Sequence, residues 1–269
     1  MNPSLAGPRA KYRRAHEHMQ TLHREIVAFA ERNPDPKAEK FDQETGRYTL
    51  AIKLSEEPDA ERWGILLGDA IHNLRSALDH VVWQLVLLNE KTPGRHNQWP
   101  MCRSREQYVE ARKRGRDSVK DECLRGVADK PLAVIDGLQP YRAGARMDEH
   151  FLLPLSPLSN VDKHQVIQAG FLGTQDFPEG FLARNEDVGD VLQGTSVAGP
   201  LEKDAYIVDC TVEITGPNPQ VKMHGNLTLV VGFGEEGFAL NAIGEMALKI
   251  GETIELFQPF FDGGRCDSL

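Results

Sequence analysis

The sequence predicts an α+β fold, with three long helices (about 8–32, 58–90 and 240–257) forming a bundle and a small antiparallel sheet beside it. Three observations carry this. Apolar residues recur at steps of three and four over the first 90 residues and again near the C-terminus, the period of a helix with one buried face. From about Phe177 the texture turns β-branched and alternating, the period of a half-buried strand. Proline and glycine clusters stand at the joints between these stretches. Helices distant in sequence can share one core, so residues 1–269 read as a single domain. Its helical part covers about 1–175, its sheet about 176–239, and a C-terminal helix of about 240–258 returns to the bundle.

In the first helix Ala15, Met19, Leu22, Ile26 and Phe29 line one face. Asn33-Pro-Asp-Pro36 ends it, because closely spaced prolines remove the donors that a helix needs. Tyr48, Leu50, Ile52 and Leu54 then alternate with Thr49, Ala51 and Lys53 as a short strand. In the second helix Pro58 suits the first turn and Thr92-Pro-Gly94 stops it. Its seam is Trp63, Leu67, Ala70, Leu74, Leu78, Val81, Leu85 and Leu88. At roughly 30 residues it is about 45 Å long, a spine for the other elements.

Residues 104–137 read as shorter helices broken near Gly115, Gly126 and Gly137, and Leu138-Gln-Pro-Tyr141 as a turn. Phe151–Ile167 reads as helical pieces interrupted by Pro154 and Pro157, with Ser159 or Asn160 capping a segment that carries Asp162, Lys163 and His164. Ala205–Thr215 and Asn226–Phe233, joined by Gly216-Pro-Asn-Pro219, read as an antiparallel pair, with a third strand near Val191–Val197. The last helix offers Ile243, Met246, Ile250, Ile254 and Phe257 to the core.

Composition excludes several classes. With 40% hydrophobic and 26% charged residues the chain is neither disordered nor a small disulfide scaffold. The greasiest run, Val81–Leu88, is too short to span a membrane. Met1–Pro8 has no apolar stretch of the kind that directs export. Cys102, Cys123, Cys210 and Cys266 form no CxxC pair, so they are expected as reduced thiols in the cytoplasm. The net charge of −9 hides an asymmetry, because residues 1–125 hold 22 Lys and Arg against 19 Asp and Glu while the remainder holds 9 against 21. A polyanionic partner is therefore expected on the first half.

The chemistry concentrates on the second helix. Steps of 100° place Asp69, His72, Asn73, Arg75, Ser76, Asp79, His80 and Trp83 away from the leucine seam. A merely solvated face shows Lys and Glu at i,i+4, whereas these residues hydrogen-bond in defined geometries. They either line a cleft or form a buried polar network. Within the face, Arg75 and His80 form an R-x4-H pair, a permanent cation that forks onto phosphate and an imidazole that shuttles a proton. They lie about 140° apart around the helix, so a bend, a second helix or a symmetry mate must bring them to one atom. The Arg75–Asp79 spacing also suits an ion pair that braces the helix.

This R-x4-H helix resembles HEPN-domain proteins, helical bundles that often act as metal-independent ribonucleases across a dimer interface. Ser76 stands where that family usually has Asn, Asp or His. The LGDAIHNLRSALDH run at 67–80, with Ser159-Asn-Val-Asp-Lys-His164, also resembles bacterial proteins of this length with no assigned activity. The first resemblance implies an RNA endonuclease of stress or phage-defence type, acting as a homodimer on RNA without a cofactor or membrane. In it His80 is the general base on a ribose 2′-hydroxyl, Arg75 stabilises the phosphorane, and Asp79, His72 and Asn73 orient them. Lys163, His164, Arg112 and Arg114 are the expected substrate contacts, from the segment beside the cap and the Arg112–Arg116 charge run.

Two other classes stand beside it. In one, the protein is a non-catalytic ligand-binding or interaction module whose polar face is a pocket or a bundle-internal network. In the other, Asp69 and His72 at i,i+3, with Asp79, Asp162 and His164, hold a metal ion. HEHMQ at 16–20 falls short of the H-E-x-x-H zinc signature at Gln20.

Overall fold

The computed structural model describes residues 2–34, 37–110, 117–162, 166–167, 169–172, 182–196, 200–201, 206–223, 230–234 and 237–262. The first half contains α1 (Ala6–Arg32), β1 (Lys37–Phe41), β2 (Arg47–Ile52), α2 (Ala60–Leu88), α3 (Arg105–Val109), α4 (Val119–Cys123) and α5 (Asp129–Gly137). A 3-10 segment, Pro140–Glu149, leads to α6 (Leu155–Asp162). Then come β3 (Ala169–Leu172), β4 (Leu182–Arg184), β5 (Val188–Ser196), β6 (Pro200–Leu201), β7 (Tyr206–Ile214), β8 (Val221–Met223), β9 (Val230–Phe233) and β10 (Phe238–Ala239). The last described elements are α7 (Leu240–Glu255) and α8 (Gln258–Phe261). The class is α+β, and the three long helices lie within two residues of their predicted limits.

The chain divides into two compact units, one of residues 1–21, 65–167 and 241–269, the other of 22–64 and 168–240. In the first, α1 runs antiparallel to α2. The Ser4 N–H donates to Gln84 Oε1 at 3.0 Å, His80 Nδ1 lies 3.7 Å from where a Cβ on Gly7 would stand, and His18 Nδ1 sits 3.8 Å from Asp69 Oδ2. Helix α7 also runs antiparallel to α1, with Arg9 bonded to Glu255 and the Tyr12 ring lying on Gly251. Ile243, Met246, Ile250, Ile254 and Phe257 are all buried, as their spacing predicts.

Helix α2 stops by a backbone device ahead of Thr92-Pro-Gly94, where the sequence predicts its end. Glu90 takes φ 55°, and the N–H groups of Glu90 and Lys91 bond to the carbonyls of Leu87 and Val86. This is a left-handed cap of the kind glycine usually supplies. The connection that follows is tied at several points. Asn97 donates to the carbonyls of Cys123 and Arg125, and the Cys102 N–H donates to Gln139 Oε1.

Helix α6 corrects a second expectation. It begins at Leu155, so Ser159 and Asn160 lie inside it rather than capping it. Pro157 sits in its first turn, where the missing N–H has no partner to lose. Residues 163–165 lie outside the described residues.

The second unit holds sheets in the orders β1-β2-β7-β5 and β10-β9-β3-β6 and the pair β4-β8, all antiparallel. Tyr48, Leu50 and Ile52 are buried on β2, with Tyr48 opposite Cys210 and Leu50 opposite Val208 on β7. The Tyr48 hydroxyl donates to Glu39 Oε2 at 2.8 Å, which also accepts the Met223 N–H at 2.7 Å. Phe29 meets Trp63 edge to face at 5.4 Å, and Arg62 forks onto Glu25.

The predicted pairing of 205–215 with 226–233 does not form. Strand β7 lies between β2 and β5, while β9 lies between β3 and β10. The Gly216-Pro-Asn-Pro219 turn leads into β8, which pairs with β4. Its shape is set by the 185–187 turn, where Asp187 Oδ2 accepts the Asn218 N–H and Asn185 Oδ1 accepts the Gln220 N–H. A long double-proline connection does not impose the register that a two-residue hairpin turn does.

Two stability outcomes follow. Glu90→Gly relieves the left-handed strain and is expected to stabilise by about 1 kcal/mol in urea unfolding. Gly251→Ala places a Cβ 2.6 Å from the Tyr12 ring and is expected to destabilise by about 1–3 kcal/mol. Tyr12→Ala should absorb most of that cost, so the double variant is markedly less destabilised than the two single effects added together.

Candidate functional site

Helix α2 is buried over a wider arc than its leucine seam predicts. Ile71, Ala77, Val82 and Val86 are enclosed together with Leu67, Leu74, Leu78, Val81 and Leu85. The polar face is a strip. Asp69, His72, His80 and Trp83 are exposed along it, and Asn73, Arg75, Ser76, Asp79 and Gln84 are half-buried. Neither a sealed network nor an open cleft describes the whole strip, because its rows are used differently.

One row is occupied by structure. Arg75 Nη2 donates to the Trp99 carbonyl at 2.8 Å, and Asp79 Oδ1 accepts the Trp99 N–H at 2.8 Å. Arg75 and Asp79 also pair with each other at 3.3 Å. Between them they satisfy both backbone polar groups of a fully buried tryptophan, which would otherwise stand unpaired in the core. The Trp99 ring meets Phe257 edge to face at 5.8 Å.

The adjacent row is open. Ser76, Asp79, His80, Trp83, Gln84 and Asn97 line a pocket of about 450 Å³. Trp83 is 42% exposed there. Continuing the antiparallel register of α1 against α2 brings Lys11 level with Ser76. Partial burial and the Lys11 ammonium hold the His80 imidazole below its ordinary pKa, with Asp79 opposing them weakly. His80 is therefore a neutral imidazole near pH 7, with neither ring nitrogen hydrogen-bonded among the described residues.

The other predicted site residues scatter. Arg75 turns to Trp99 while His80 turns to Gly7, so the R-x4-H pair diverges as its angular separation requires. The Asn73 amide folds back onto the Asp69 carbonyl, and His72 is exposed to solvent. The Asp162 carboxylate lies over Gly68, where a Cβ would stand 2.1 Å from Oδ1. Asp69, His72, Asp79 and Asp162 do not converge, and among the described residues no three His, Cys, Asp or Glu side chains form a metal-holding group. Lys163, His164, Arg112 and Arg114 lie outside the described residues.

Gln84 and Asn97 line the pocket beside the predicted residues, and Lys11 stands near His80 from α1. Gln84 continues the row of Ser76 and His80 at i,i+4 spacing, a signal present in the sequence. Lys11 comes from α1 and Asn97 from the connection after α2, and nothing local marks either. Asn97 is held by accepting the Gly94 N–H through Oδ1 at 2.7 Å while its amide donates to Cys123 and Arg125.

His150 also sits below its ordinary pKa, by burial; its ring stacks on Phe151 at 4.7 Å. Both depressed histidines give stability the same pH dependence. Near pH 6.5, the ordinary value, the unfolded chain takes up protons before the folded one. Their contribution is complete above that pH and is lost as pH falls toward the folded-state values. The melting temperature is expected to fall less between pH 7.5 and pH 5.5, the window set by that value, in His80→Gln and His150→Gln than in the parent; equal falls would contradict it. No family model, curated protein or solved structure matches the chain.

Proposed function

We propose that this protein is a binding module whose ligand site is the pocket beside Trp83 on α2. One observation carries the reading: Arg75 and Asp79 are spent on the Trp99 backbone, while Ser76, His80, Trp83 and Gln84 present uncommitted groups to one pocket. A transition-state clamp needs donors aimed at the charge that develops, and Arg75 aims its Nη2 donor at a protein carbonyl. The pocket volume falls in the range of small-molecule sites, which are concave and carry a few placed polar groups. Among the described residues no helix is long and apolar enough to cross a membrane, and we place this module in the cytoplasm, where its thiols stay reduced.

The second reading is the metal-independent RNA endonuclease of HEPN type, working as a homodimer with His80 as general base. The neutral, accessible imidazole beside Lys11 favours it, since a base near its own pKa accepts a proton from a hydroxyl most effectively. In this reading a partner's copy supplies the cation that Arg75 does not.

Arg75→Ala and His80→Ala separate the two. Under the binding reading, single-stranded RNA incubated with the protein and a chelator stays intact. Arg75→Ala then costs about 1–3 kcal/mol of stability, because it strips a hydrogen bond from a buried carbonyl. His80→Ala stays within about 0.5 kcal/mol of the parent. Chelator-resistant cleavage that disappears in a well-folded His80→Ala variant would overturn this reading and establish the nuclease.

A further inference from the structure

The hydrogen-bonding inventory of the pocket is one-sided. Among the described residues Asp79 is its only carboxylate, and both oxygens are engaged by Arg75 and the Trp99 N–H. Asn97 is spent on Gly94, Cys123 and Arg125. Gln84 Oε1 takes the Ser4 N–H, which leaves its amide NH₂ free among the described residues. What remains is the Ser76 hydroxyl, the His80 imidazole, the Gln84 amide and the Trp83 indole N–H, with the Lys11 ammonium level with Ser76 on the facing helix. These are donors in large excess over acceptors. Polar atoms enclosed by a site must be paired, so a ligand here has to accept far more than it donates.

Two further features narrow the class. The half-exposed Trp83 ring offers a flat apolar wall, which favours a planar ring stacked against it. Lys11, level with Ser76 by the helix register, has no free carboxylate opposite it among the described residues of the pocket. An organic cation meets that ammonium as a like charge, and a neutral ring leaves it unused.

Resting on the reading of this pocket as a binding site, we infer that its ligand is a planar aromatic anion, stacked on Trp83 with a carboxylate or phosphate toward Lys11. The chain carries its own reporter. Trp63 and Trp99 are 3% and 0% exposed, so a ligand that quenches tryptophan emission by contact acts on Trp83.

Matched probes at low ionic strength test it, nicotinate against nicotinamide and adenosine 5′-monophosphate against adenosine, by tryptophan quenching and by calorimetry. The anionic member of at least one pair is expected to bind about tenfold more tightly than its neutral twin. Preference in the first pair assigns a carboxylate, in the second a phosphate. Lys11→Gln, on a half-exposed side chain, should reduce the preferred anion to the level of its twin, and Trp83→Leu should abolish the calorimetric signal of both. Neutral twins binding as well as the anions, or a preference unmoved by Lys11→Gln, overturns the inference and leaves the pocket reading standing. No saturable heat or quenching from any probe at millimolar concentration overturns both.

Discussion

Arg75 and Asp79 hold the backbone of Trp99, and that contact fixes the middle of the 89–104 connection against α2. Burying an indole brings its own peptide groups into the core, where an unpaired N–H or carbonyl costs as much as a lost hydrogen bond. Strand pairing is the usual remedy, but among the described residues no strand pairs with the Trp99 segment. The i,i+4 pair on α2 substitutes for it, accepting from the N–H with Asp79 and donating to the carbonyl with Arg75. Once Trp99 is seated against Phe257, Asn97 is brought to the pocket, where it ties the connection to the Cys123 and Arg125 carbonyls.

The division of labour on α2 is a matter of rows. Arg75 and Asp79 form one i,i+4 row and serve the fold. Ser76, His80 and Gln84 form the neighbouring row, and Trp83 stands beside them. Two rows one residue apart in sequence diverge by about 100°, so one meets the Trp99 segment while the other meets α1. A pair such as R-x4-H takes one member from each row. That is why the tertiary structure separates Arg75 from His80 and gives them unlike surroundings, the first hydrogen-bonded to a core segment and the second left a neutral base beside an ammonium.

The long helices were legible because burial imposes a period of 3.6 on them, and their buried faces match the apolar stripes of Leu74, Leu78, Ile250 and Ile254. The strand at 47–52 and the one at 206–214 were legible for the same reason at period two. The edge strand at 37–41 was not, since Lys-Ala-Glu-Lys-Phe carries the polar composition that edge strands use against aggregation. Strand pairing was illegible too. The alternation in Ala205–Thr215 marks a strand and one buried face, but Tyr48 and Leu50, some 160 residues earlier, are its neighbours, and no local property encodes a partner at that distance.

The α+β class, the existence of the principal helices and strands, and the unusual polar face of the second helix are readable in the residues alone, because each depends on residues within a few turns of one another. What the rows of that face bond to depends on the segments that pack against it. Arg75 with Asp79 is as good a catalytic pair as a structural one until Trp99 arrives to claim both. His80 is an ordinary imidazole until α1 brings Lys11 beside it. The physical reason is common to both cases: a side chain's chemistry is set by the groups that desolvate it and bond to it, and on a central helix those groups come from elsewhere in the chain.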